Sequence, residues 1–171
     1  MATDELVKAR LEEVDKSVFH DGIPFVGAVR LSDRLFPVDG DSFEERIVQA
    51  ASHDLFEACA LYLSMECKIE EQTLSNLYEM VDMCVAKEDP YRSALDMLFR
   101  EVEKGEVYNS EQKEFELVDV PCPDHPAVVL YEKFRHKVDL RYRELATRRV
   151  RSFCETATVE TFDGFDLYAY K

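Results

Sequence analysis

The chain has 171 residues, 46% hydrophobic and 11% aromatic, with only five Gly and six Pro. These values exclude a disordered acidic tail and suit one globular domain over residues 1–171, built from long regular elements. The formal net charge of −15 opposes the approach of a polyanion at distance.

The longest unbroken apolar run, Ala58 to Leu63, falls far short of the roughly 20 residues a bilayer span needs, so no membrane association is expected. The opening Met1-Ala2-Thr3-Asp4-Glu5 has neither the basic nor the apolar region of a secretory signal. Five cysteines, Cys59, Cys67, Cys84, Cys122 and Cys154, are odd in number and form no Cys-x-x-Cys. Reduced thiols in an intracellular, cytoplasmic protein are the expectation. Cys59 and Cys84 fall at apolar helical positions, whereas Cys122, between Pro121 and Pro123, is expected to be exposed.

Thr3 can cap a helix over 4–18, with Val7, Leu11, Val14 and Val18 at helical spacing. Gly22 and Pro24 end it, and Phe25 to Leu31 reads as a strand. Ser42-Phe43-Glu44-Glu45 is a capping box opening a helix over 42–66. Its apolar face includes Ile47, Ala51, Leu55, Ala58, Tyr62 and Met65, and Arg46, Gln49, His53, Glu57 and Ser64 form the polar strip. The breadth of that face predicts a central helix.

A third helix is predicted over 70–87, with Leu74, Leu77, Tyr78 and Val81 inward and Glu70, Glu71, Glu79 and Asp82 among its polar positions. Asp89-Pro90 reads as cap and first helical residue of a fourth, which carries Tyr91, Leu95, Leu98, Phe99 and Val102 inward and stops at Gly105. Residues 105–113 read as a polar loop. The alternation in 114–120 predicts a strand. Asp124 is placed as the cap of the longest helix, over 125–155. Asp163-Gly164 between β-prone runs predicts a C-terminal hairpin with a type I′ turn. The expected fold class is α+β: about five helices around the helix over 42–66, with a small antiparallel sheet that includes the hairpin.

Residues 133–151 hold eight basic side chains and only two acidic ones, Asp139 and Glu144. On one continuous helix, Lys133, Lys137, Arg141, Arg148 and Arg151 share about 80° of arc, beside an apolar face with Phe134, Val138, Tyr142, Leu145 and Phe153. Such a stripe can contact phosphates or pair with acidic neighbours of the same fold. Arg135 and Arg149 fall within the apolar arc and are expected to run their stems along it and reach water. One of them making a buried pair with a carboxylate is the alternative.

Glu132, His136 and Asp139 lie side by side at helical spacing, and His53 and Glu57 repeat the four-residue step. These are potential metal ligands, but both sets occupy polar faces, unlike the inward ligands of helical-bundle metal sites. The expectation is therefore no bound metal, no cofactor and a solvent-accessible His53. No Gly-x-Ser-x-Gly, Gly-rich phosphate loop or His-Glu-x-x-His occurs, which points away from an enzyme. The sequence is read as a non-enzymatic acidic protein-interaction module. It would be an inhibitor or regulator, in one form a nucleic-acid mimic, that binds a basic partner protein, with Glu70, Glu71, Glu79 and Asp82 as candidate acidic contacts. The alternative is a nucleic-acid-binding protein that uses the basic stripe.

Overall fold

A computed structural model describes residues 3–84, 93–102, 104–119 and 124–168. Seven α-helices and one two-stranded antiparallel sheet occur among them: α1 (Asp4–Val18), α2 (Phe25–Leu35), α3 (Phe43–Glu66), α4 (Leu74–Met83), α5 (Ala94–Glu101), β1 (Lys104–Asn109), β2 (Glu114–Asp119), α6 (Pro126–Lys137) and α7 (Leu140–Thr156). The class is α+β. No helix among these residues is long and apolar enough to cross a membrane.

The capping box at α3 forms as predicted: Ser42 Oγ accepts from the Glu45 N–H at 3.1 Å, and Glu45 Oε2 accepts from the Ser42 N–H at 3.2 Å. Helix α3 packs against α2, α4, α6 and α7. Its inward face carries Ala51, Leu55, Phe56, Ala58, Cys59, Leu61 and Leu63, all buried. Phe36, Phe56 and Phe153 join α2's end, α3 and α7 with ring centroids 5.3–6.0 Å apart. Burying each such ring contributes about 1.5–3 kcal/mol. A second stack sets Phe99 flat on Tyr131 at 4.1 Å. Helix α1 forms as expected, although Thr3 makes no side-chain cap bond.

Residues 25–31 are helical, not extended. Gly27, Ala28, Leu31 and Ser32 are buried together, a 3.6-residue repeat visible only when the window runs on to Leu35. Phe25 and Val26, the β-prone residues, face outward. Gly27 is needed for close approach: a Cβ there would stand 2.7 Å from the Pro24 ring and 3.1 Å from the Leu167 carbonyl.

The predicted third helix is interrupted. Ile69–Glu71 is a single 3₁₀ turn, and α4 starts only after Thr73, whose hydroxyl accepts from the Asn76 N–H at 3.1 Å. Residues 85–87, its expected end, and Asp89-Pro90 and Tyr91 lie outside the described residues. Helix α5 is capped instead by Ser93, in a capping box with Asp96, and ends at Glu101 rather than at Gly105. The loop expected at 105–113 is largely β1. Tyr108 pairs with Phe115 in the register, and the Asn109 carboxamide oxygen accepts from the Glu111 and Gln112 N–H groups at the turn.

The long basic helix is two helices. Val138 is extended (φ −104°, ψ 131°), and Asp139 restarts the chain as N-cap of α7, accepting from the Arg141 N–H at 3.0 Å. An Asp side chain competes with the backbone for such a role, and the break lets α6 and α7 both pack on α3.

The C-terminal hairpin does not form over 158–168. Val159–Phe162 is a 3₁₀ turn. Asp163 keeps a negative φ of −57°, and only Gly164 is positive, at +72°, where a type I′ turn needs both. Burial competes with strand pairing and wins: Phe162 packs edge-on against Phe19 at 5.5 Å, and Leu167 is 3% exposed. The Tyr168 hydroxyl donates to the Gly22 carbonyl at 2.9 Å, tying this segment across the end of α1. The last residues of the expected hairpin, 169 and 170, lie outside the described residues.

Candidate functional site

The basic stripe is dispersed by the fold. Lys133 Nζ lies 2.9 Å from Asp54 of α3. Arg151 is held by Asp82, by Glu155 at 3.1 Å and by Asp4 at 3.7 Å, with its guanidinium 5.6 Å from the centre of the Tyr78 ring. Lys137, Arg141 and Arg148 are exposed, but the break at Val138 separates Lys137 from the other two. Arg149 reaches water as expected. Arg135 does not: it is 8% exposed and sits 3.2 Å from Asp96, itself 3% exposed. Tyr131 donates to the same carboxylate. Two of the candidate acidic contacts are also engaged within the chain, Glu79 with Lys8 and Asp82 with Arg151. Glu71 accepts from the Lys68 N–H, and Glu70 is exposed.

Cys59, Cys67, Cys84 and Cys154 are free thiols. Burial pushes Cys154 up to about 12 and holds Cys59 far above the ordinary thiol value, so neither is a nucleophile. Cys122 lies outside the described residues. His125 Nε2 is 2.8 Å from Glu66. Between α5, α6 and α7 lies a cleft of about 180 Å³ lined by Asp96, Tyr131, Arg143 and Thr147 among others, below the roughly 300–1,000 Å³ of small-molecule pockets.

His53 is the centre of a cluster that the sequence reading missed in part. Expected to face water, its side chain is only 16% exposed. Nε2 stands 2.8 Å from Asp33 Oδ1 and 3.4 Å from Glu57 Oε2, while Nδ1 lies 3.5 Å from Asp54 Oδ1. Asp54 above all, then Asp33 and Glu57, pushes His53 up to about 9 despite its burial. Burial holds Glu57 above the ordinary carboxylate range, against the attraction of His53. The four-residue step from His53 to Glu57 was visible in the chain. Asp33 was not, because reading 25–31 as a strand hid the helix that delivers it. Glu132 and His136 pair with each other at 2.8 Å on an exposed face, and Asp139 serves as a cap. These three do not complete a metal-ligand set among the described residues.

The β1–β2 hairpin is the other outlying feature. Tyr108 and Phe115 face each other with ring centroids 5.4 Å apart, yet they are 53% and 69% exposed. Among the described residues, the two strands pair with each other, and neither packs extensively on a helix.

No protein-family description, no curated protein and no solved structure matches this chain.

Proposed function

We propose that this protein is an acidic protein-interaction module that docks a basic partner through the β1–β2 hairpin. The carrying observation is the exposed Tyr108–Phe115 pair on a two-stranded ribbon. Two strands alone are marginal in water, and an aromatic pair gains its full value only when covered. Residues 104–119 hold five acidic side chains, Glu106, Glu111, Glu114, Glu116 and Asp119, and two basic ones, Lys104 and Lys113. An aromatic anchor on a segment rich in carboxylates suits a surface rich in Lys and Arg, and the net charge of −15 speeds encounter with it. Pairing of Lys133 and Arg151 with carboxylates of the same chain favours this reading over phosphate contact by the stripe. Basic surfaces of this kind commonly bind nucleic acid, so an inhibitor or regulator that occupies such a surface inside the cell is the specific form of the reading.

The test is affinity capture from native lysate with three baits: wild type, Tyr108→Ser/Phe115→Ser and Glu111→Lys/Glu114→Lys. A basic protein held by wild type at low salt, released at high salt and missed by both variants supports the reading. Identical capture by all three baits rejects it.

A further inference from the structure

We propose that Asp33, His53 and Glu57 form a binding site for a divalent first-row transition metal of the zinc type, with His53 Nε2 and one oxygen of each carboxylate as ligands. The three ligand atoms lie within 4.8 Å of one another. Ligands about 2.0–2.2 Å from a tetrahedral ion stand roughly 3.3–3.5 Å apart. The 3.4 Å between His53 and Glu57 already matches that spacing. The 2.8 Å to Asp33 must open slightly, and Asp33, 68% exposed, is free to move. Water from the open side completes the coordination.

Three further observations point to a cation. His53 is oriented from behind: its Nδ1 faces Asp54, which Lys133 holds at 2.9 Å. A carboxylate on the far nitrogen is the usual support of a metal-bound histidine, because it fixes the tautomer that turns the other lone pair outward. Next, the Asp33, Asp54 and Glu57 carboxylates gather around His53, and Lys133 pairs with Asp54. That excess of carboxylate around one ring favours a cation. Finally, Glu57 is 9% exposed, and among the described residues no hydrogen bond reaches its carboxylate; His53 is its one ion-pair contact. One nitrogen with two oxygens suits zinc, cobalt or manganese better than the all-oxygen preference of calcium and magnesium.

The full chain, stripped with chelator, is titrated calorimetrically with ZnCl₂. Expected are one ion per chain with micromolar or tighter affinity and a raised Tm that chelator reverses. His53→Ala abolishes binding, and Asp33→Asn, a surface change that leaves the fold intact by circular dichroism, weakens it at least tenfold. Asp54→Asn, which removes a positioning residue, weakens it about 10–100-fold, and Glu132→Ala/His136→Ala leaves it unchanged. Affinity weaker than about 100 µM, equal binding by wild type and Asp33→Asn, or a thiolate-to-metal charge-transfer band with cobalt(II) overturns the proposal. The last outcome would place the ion on cysteine.

Discussion

Asp15 of α1 caps α4 from outside its own helix, its Oδ1 accepting from the Leu74 N–H at 2.6 Å. Oδ2 accepts from the Ser75 N–H at 3.2 Å. A helix start separated by 59 residues in sequence thus receives a carboxylate at its positive end. The carboxylate is 7% exposed, and its burial outweighs these two hydrogen bonds, so Asp15 is pushed up to about 6.

That shift has a sign. A carboxyl whose folded value is raised contributes stability fully at pH below the unfolded value near 4 and loses it as the pH rises through about 6. The stability of wild type minus that of Asp15→Asn should therefore fall between pH 4 and pH 7.5, by up to about 3 kcal/mol. Urea unfolding of both proteins across that range checks it. A difference independent of pH would show that Asp15 titrates normally.

Leu55→Ala and Phe134→Ala should each destabilise by about 2–5 kcal/mol, since Leu55 is fully buried and Phe134 is 2% exposed. Leu145→Ala should stay within about 1 kcal/mol of the parent. The continuous-helix reading set Leu145 on the apolar face, but it is 39% exposed. Thermal melts of the three variants separate the two arrangements, and a large loss at Leu145 would contradict the break at Val138.

Thiol titration of the unfolded chain without reductant should find all five cysteines free, and a count of three or fewer would establish a disulfide. In the native protein Cys67, half-exposed, should react well before the fully buried Cys59 and Cys154. Mass mapping after brief labelling identifies the order.

Duplex DNA or RNA should bind weakly at physiological salt. Lys133 and Arg151 are paired within the chain, and the remaining stripe is split between two helices. An anisotropy salt series, with Lys137→Glu/Arg141→Glu as control, measures this. Micromolar affinity falling by about 0.9 log units per tenfold salt for each phosphate contacted, and lost in the control, would restore the nucleic-acid reading.

Features whose partners lie within a few residues were readable in the chain. The Ser42–Glu45 box and the buried rows of α1 and α3 formed, because each depends on local geometry and a steady period; β2 formed as a strand, but Phe115, the inward residue of its alternation, is 69% exposed. Elements failed where a local preference met a distant competitor. Phe25 to Leu31 has the composition of a strand, yet Gly27 lets it lie as a helix against the Leu167 backbone. Asp163-Gly164 has the composition of a hairpin turn, but Phe162 and Leu167 gain more from the core than from pairing with each other. The helical spacing of residues 133–151 was unbroken on paper, and only the Asp139 cap and the packing of two segments on α3 divided it. The candidate site followed the same rule. His53 and Glu57 were visible as an i,i+4 pair, while Asp33, Asp54's link to Lys133 and the partial burial of the cluster required three helices to meet. Periodicity encodes which face of a helix is apolar. It does not encode which carboxylate from another helix arrives there, and that is set by packing between residues far apart in the chain.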